Sequence, residues 1–205
     1  MPDRVTVYFD YVCPYAWRGA ELAEMVARKL DIAFDWRHYS LFQGDHDADD
    51  GWQLWNERID PLDENGTRGL LPFLASCAAR RQGEGQYRIF RLGLLRARHC
   101  EHRPLDLATI RFVAECSGLH LPKFDDDLAN PEGRTLLAHE HHRATDANVF
   151  GTPTFVFPDG HAAYLRLRQL PANEREAIDL FRDYRELLAN YPYVETVRRP
   201  RAKRN

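Results

Sequence analysis

An alternating segment, Val5-Thr6-Val7-Tyr8-Phe9, runs through Asp10-Tyr11-Val12 into Cys13-Pro14. The alternation, and its content of Val, Tyr and Phe, predict a half-buried strand over residues 4–10. Pro14 suits the first position of a helix, where its missing N–H costs nothing. Ala20, Leu22, Ala23, Val26, Ala27 and Leu30 then recur at helical spacing. Ile32, Phe34, Trp36 and His38 return to a period of two, which predicts a second strand. The N-terminal part therefore reads as β-α-β. A crossover of this length requires parallel strands and a right-handed connection.

The same reading puts Cys13 at a helix N-terminus. Backbone N–H groups there, those of Tyr15 and Ala16, have no partner inside the helix and point towards the sulfur. They favour a thiolate, so the expectation is an ionised sulfur open to solvent. No Lys or His follows directly, so the helix end is the only activation that the local sequence supplies. Arg18 is expected to face outward. Asp10 either accepts a proton or caps the turn; close to the sulfur, it would raise the thiol pKa. Tyr11 and Tyr15 are expected to line a cleft, and Trp17 to pack in the core.

Farther along, Thr154 to Phe157 reads as a short apolar strand led by Pro153, and Pro158-Asp159-Gly160 as a turn. Residues 162–167 are expected to pair back as a hairpin. Asn173 can cap a last helix, with Glu174 and Glu176 in its first turn and Ile178, Phe181 and Leu188 buried. Between the two ends, residues 52–147 carry helical signals, strongest over 70–81, 87–99, 107–116 and 134–147. The acidic, turn-rich run from Gln43 to Gly51 reads as a solvated boundary, since a calcium loop needs ligands in a tighter pattern. The fold class is α/β: residues 1–42 and 148–205 form a mixed-sheet domain around an all-helical insertion, 43–147.

The chain has 205 residues, 44% of them hydrophobic and 12% aromatic, enough for a sizeable core. A net charge of −3 argues against nucleic acid as a partner. No apolar run approaches the roughly 18 residues of a membrane span. Met1-Pro2-Asp3-Arg4 lacks the features of a secretory signal, so a cytoplasmic location is expected. The basic residues Arg198, Arg199, Arg201, Lys203 and Arg204 read as a solvated end. Cys13, Cys77, Cys100 and Cys116 form neither a C-x-x-C pair nor a disulfide scaffold. The last three are expected to be ordinary buried residues. The run His139-Glu140-His141-His142 offers at most two ligands from one face, so it reads as a polar helix face and no metal is expected. Trp52 and Trp55 are expected to pack.

Two runs together carry a resemblance: Phe9-Asp10-Tyr11-Val12-Cys13-Pro14-Tyr15-Ala16-Trp17 and Phe150-Gly151-Thr152-Pro153-Thr154-Phe155-Val156. They resemble the active-site turn and the cis-proline loop of the DsbA-like branch of the thioredoxin superfamily. Within it, the chain looks like the group of FrnE-type oxidoreductases, kappa-class glutathione transferases and 2-hydroxychromene-2-carboxylate isomerases. The resemblance implies a thioredoxin-like fold with Cys13 as nucleophile. It implies Pro14, Tyr15, Thr152 and Pro153 as substrate- or thiol-binding residues beside it, Thr152-Pro153 being a cis bond. Asp10 would be a proton acceptor.

The departure is Ala16, where the C-P-x-C pattern has its second cysteine. Cys13 therefore cannot close a disulfide across the helical turn. One reading is a single-cysteine thiol-disulfide oxidoreductase that uses an external small thiol. Another is a glutathione-dependent isomerase or transferase acting on a small aromatic electrophile, and a third is a binding module or chaperone on the same fold. A resolving Cys77, Cys100 or Cys116 would need its Cα within about 7 Å of that of Cys13. No tightly bound cofactor is implied. Glutathione or another low-molecular-weight thiol is the expected co-substrate, a disulfide or electrophile the partner, and a homodimer is left open.

Overall fold

Strand β1 (Asp3–Phe9) sends Val5, Val7 and Phe9 to one face, where all three are buried, and Thr6 and Tyr8 to the other. The computed structural model that gives this arrangement describes residues 3–46, 51–60 and 63–200. Met1, Pro2, residues 47–50 of the acidic boundary and the end of the basic tail, with Arg201, Lys203 and Arg204, lie outside the described residues. Helix α1 (Pro14–Leu30) turns Ala16, Gly19, Ala20, Leu22, Ala23 and Val26 inward. Arg28 and Lys29 in its last turn complement the helix dipole, and Asp31 ends it in the left-handed region at φ 52°. Strand β2 (Ile32–His38) pairs in parallel with β1, from Asp3 opposite Ile32 to Phe9 opposite His38. The expected β-α-β unit is present.

The sheet has the order β2-β1-β3-β4. Strand β3 (Thr154–Val156) runs antiparallel to β1 with Tyr8 opposite Thr154, and β4 (Ala162–Tyr164) runs antiparallel to β3. The strand expected over 162–167 is shorter than that. Past Tyr164 the ladder gives way to one bond, the Leu165 N–H donating to the Pro153 carbonyl at 3.1 Å. Helix α8 (Glu174–Asn190) begins at Asn173, whose side chain accepts from the Glu176 N–H at 3.0 Å. It buries Ala177, Phe181 and Tyr184, while Ile178 and Leu188 are half-buried. The Phe181 ring meets those of Phe34 and Phe155, each at 5.8 Å, and such pairs add about 0.5–1.5 kcal/mol beyond burial. Helices α1 and α8 thus pack together over the face that carries Val7 and Phe155.

The intervening segment holds α2 (Leu41–Gly44), a 3₁₀ turn (Leu54–Asn56), α3 (Leu70–Arg80), α4 (Glu84–His99), α5 (Leu107–Cys116), α6 (Leu121–Leu128) and α7 (Glu132–Asp146). Four of these match the expected helices. Among the described residues no strand lies between His38 and Thr154. The continuous helical reading from Trp52 fails over residues 52–60 and 63–69, which hold turns and one 3₁₀ turn but no α-helix. Trp55 in that turn is buried and Trp52 is half-buried beside it. One buried cluster runs through β1, α1, α3, α4 and α5, so these helices share a core with the sheet.

Candidate functional site

Cys13 is the N-cap of α1, with Pro14 in the first turn behind it and no side-chain cap bond of its own. Its N–H donates to the Asp10 carbonyl at 3.2 Å, and its carbonyl accepts from the Ala16 N–H at 3.1 Å. The turn before it is fixed by the Asp10 carboxyl group, which accepts from the N–H groups of Val12 at 3.1 Å and Leu41 at 2.9 Å. Asp10 therefore caps the turn and ties it to the start of α2. It is fully buried, and burial pushes its pKa up to about 7 against the backbone N–H groups of Leu41, Val12 and Tyr11.

The loop after α7 closes over the other side. The Thr152-Pro153 bond is cis, and the Cys13 thiol donates to the Thr152 carbonyl at 3.2 Å. Thr154 Oγ1 donates to the Gly151 carbonyl at 2.7 Å and fixes the loop internally. Two glycines make the closure possible. A β-carbon on Gly151 would stand 3.3 Å from the Tyr164 ring, and one on Gly19 would stand 2.6 Å from Pro153 Cγ. Thr152 is buried, and its side chain acts towards the Cys13 thiolate. The structure thus brings Cys13, Pro14 and Tyr15 from one end of the chain to Thr152 and Pro153 from the other, with Asp10 behind the turn.

The state of the sulfur differs from the sequence expectation. Cys13 is only 5% exposed, and burial pushes its thiol up rather than down. The N–H groups of Ala16 and Tyr15 do act towards the thiolate, and Asp10 acts against it. The helix end is present as expected, but the proline loop that covers it removes the water a thiolate needs. Arg18 does not point freely outward. It is half-buried, with its guanidinium 5.2 Å from the Trp17 ring centre and 5.8 Å from that of Tyr15. Trp17 is half-buried too, and stacks on His99 at 6.4 Å.

Sequence reasoning missed Arg166. Its guanidinium lies 4.0 Å from the Tyr15 ring centre and 5.9 Å from that of Tyr164, beside the candidate nucleophile. No local pattern marks it, because only the β3-β4 hairpin brings it there. The second omission is a buried chain of polar groups. The Tyr11 hydroxyl donates to Ser76 Oγ at 3.1 Å, Ser76 Oγ lies 2.8 Å from His38 Nε2, and His38 Nδ1 lies 2.8 Å from Glu140 Oε2. Glu140 also accepts from Arg80 at 2.7 Å and from Arg37 at 3.0 Å. Burial alone would push Glu140 up; His38 and Arg80 hold it well below the usual carboxylate range. The connectivity is that of a nucleophile, a base and an acid. Ser76 and His38 are 0% exposed, so no substrate reaches them. The chain is a clamp between β2, α3 and α7.

This clamp corrects two expectations. Tyr11 does not line a cleft but is buried in the core. The run His139-Glu140-His141-His142 is not a uniformly polar face either, since Glu140 and His141 are buried. His141 Nδ1 accepts from the Ser40 N–H at 3.2 Å, and burial pushes its pKa down to about 4. Only His139 and His142 are exposed. Among the described residues no group of His, Cys, Asp and Glu is arranged to hold a metal. All four cysteines are free thiols. Cys77 is buried as expected and pushed up to about 12 by burial, whereas Cys100 and Cys116 are exposed at helix ends. Among the described residues no helix is long and apolar enough to cross a membrane.

Residues 4–59 match the model of the DSBA-like thioredoxin domain. That stretch contains β1, Cys13, α1 and β2. No curated protein matches the chain. Solved structures do, over most of their length. A thioredoxin-like oxidoreductase from Silicibacter pomeroyi DSS-3 is 22% identical, with a TM-score of 0.57 over 88% of this chain and 87% of that one. A 2-hydroxychromene-2-carboxylate isomerase is 13% identical, with a TM-score of 0.65 over 94% of this chain and 100% of that one. A probable DsbA oxidoreductase from Streptomyces coelicolor is 14% identical, with a TM-score of 0.63 over 99% and 94%.

The fold is the DsbA-like thioredoxin fold. Within that fold, the strand-to-helix corner at Cys13 and the Thr152-Pro153 loop face each other across the sheet end. At the position of the second cysteine of the C-P-x-C pattern stands Ala16, which is fully buried.

Proposed function

We propose that the protein is a DsbA-like thiol-disulfide exchange enzyme that works through the single cysteine Cys13 and an external small thiol such as glutathione. The observation that supports it is the 3.2 Å contact between Cys13 Sγ and the Thr152 carbonyl, which places the sulfur beside the proline loop. Cys13, once deprotonated, attacks one sulfur of a disulfide R–S–S–R. A bond forms between Cys13 Sγ and that sulfur, the S–S bond of the substrate breaks, and the other half leaves as RS⁻, which takes up a proton. A second small thiol then attacks the mixed disulfide as its thiolate, frees Cys13 and carries R away as a new disulfide. No net oxidant is consumed. Asp10, which titrates near neutrality behind the same turn, is the proposed acceptor of the Cys13 proton. Pro14, Tyr15, Thr152 and Pro153 form the surface that receives the substrate.

A second reading has an observation in its favour. A thiol pushed up by burial stays protonated at neutral pH. It then serves better as a hydrogen-bond donor to the thiolate of a bound small thiol than as a nucleophile. That arrangement suits a glutathione-dependent isomerase or transferase; one of the structural neighbours is a 2-hydroxychromene-2-carboxylate isomerase. Exposure of the protein to oxidised glutathione, read by the mass of the Cys13 peptide, separates the two. Under the exchange reading the wild type gains one glutathione at Cys13 and Cys13→Ser gains none there. Isomerisation of 2-hydroxychromene-2-carboxylate by both proteins, without any adduct on Cys13, would replace the exchange reading with the second.

A further inference from the structure

Several arginines on the elements around the sheet meet a carboxylate. Arg96 pairs with Glu21 at 2.6 Å, Arg37 with Asp35 at 2.8 Å, and Arg80 with Glu140 at 2.7 Å; Arg88 pairs with Glu24. Arg166 and Arg18 do not. Among the described residues neither has a carboxylate within 4 Å, although the chain as a whole carries an excess of acidic groups. Both guanidinium groups lie against the Tyr15 ring, the residue after Pro14. Arg166 is exposed. The other charged or titratable groups that act on Cys13 or share its rim are Asp10, buried behind the turn, and the phenols of Tyr15 and Tyr164.

Arg166 lies over the Tyr15 ring and also engages the Tyr15 side chain through hydrogen bonding, but a guanidinium carries five N–H donors, so others remain for a ligand. The guanidinium edge is a fork shaped for a carboxylate, which it takes through two parallel hydrogen bonds. One further feature of the same rim points to a ligand. Phe150 is 73% exposed, held edge-on to Tyr164 at 5.6 Å, and offers apolar area beside the fork.

We infer that Arg166, supported by Arg18, is a carboxylate-binding residue of the Cys13 site, so that the site selects anionic small thiols and disulfides over neutral ones. The inference rests on the exchange reading above and names the class of molecule that it takes. The chemistry is one exchange: the Cys13 thiolate bonds to one sulfur of a disulfide probe, and the other leaves as a thiolate that is measured by its colour.

The probes are dithiobis-nitrobenzoate, which carries two carboxylates, and neutral dithiodipyridine. Both are used on the full chain carrying Cys100→Ser and Cys116→Ser, which removes the two exposed thiols. The expected result is that Arg166→Gln slows the anionic probe roughly five-fold more than the neutral one, the scale of an exposed ion pair. Added salt should shrink the preference in the parent protein and leave Arg166→Gln unmoved. Arg166→Lys, which keeps the charge, should retain part of the preference and controls for lost packing. Equal slowing of both probes would mean that Arg166 acts on the sulfur and not on the ligand, and would overturn the inference, as would no slowing at all. Both of those outcomes leave the exchange reading standing. A Cys13 that reacts with neither probe would defeat that reading, and this inference with it.

Discussion

Gly19 and Pro153 touch across the site: a β-carbon on Gly19 would stand 2.6 Å from the proline Cγ. Helix α1 therefore sets the position of Cys13 and of the loop above it through one contact. Gly19→Ala inserts a methyl group where a rigid ring already sits. The expected cost is about 1–3 kcal/mol of stability, as for other overpacked cores. The loop should also move off Cys13 and change its exchange rate. Denaturant unfolding and the rate of Cys13 modification check the two effects; unchanged values in both would mean that the loop gives way freely.

Cys13 should behave as a protected thiol. Burial pushes its pKa up, so its alkylation rate should climb through a midpoint above the roughly 8.5 of a free cysteine. Quenched alkylation followed by mass spectrometry of the Cys13 peptide across pH measures this midpoint. A value below that of free cysteine would show the helix end prevailing over the loop.

Asp10 should give the fold a pH dependence of unusual sign for a carboxylate. Its folded pKa of about 7 lies above its ordinary value of 3.8. Between these two values the folded chain keeps a proton that the unfolded chain releases. Stability from this group is therefore complete at low pH and falls as the pH rises through that window. Asp10→Asn cannot titrate and should remove this part of the slope. Urea midpoints measured across the window for both proteins decide it, and identical slopes would count against a raised Asp10.

Glu140 has the opposite sign. Held below its ordinary range, it stabilises the fold above roughly the usual glutamate pKa of 4.3, and that stability is lost on acidification. Glu140→Gln leaves Arg37 and Arg80 facing a neutral amide inside the clamp. Breaking one side of a buried ionic cluster costs about 3–5 kcal/mol. Thermal unfolding near neutral pH checks this, and a loss below about 1 kcal/mol, the range of surface pairs, would contradict the clamp.

The parts of the fold legible in the sequence are those whose signal is local. The β1-α1-β2 unit follows from two periodicities and one proline. The last helix follows from Asn173 and an apolar stripe, and β3 from a short β-branched run. Helix α6 escaped because a single buried residue, Phe124, gives eight residues no detectable period. Glu140 and His141 look like a polar helix face, and only the arrival of His38, Arg80 and Ser40 from other elements makes them interior. The site divides in the same way. Cys13 and the Thr152-Pro153 loop are recognisable as runs of residues. The covering of Cys13 and the approach of Arg166 are products of tertiary packing, and no spacing along the chain announces them.

Strand order makes the two halves of this site interdependent. β3, which carries the loop onto Cys13, hydrogen-bonds directly to β1, yet the whole helical segment separates them along the backbone. A ribosome that has released the first strand, the cysteine and the first helix has therefore produced a naked thiol with no lid. Guarding of that thiol begins only when the distal hairpin docks, so selectivity is a property of the finished chain and not of its leading segment.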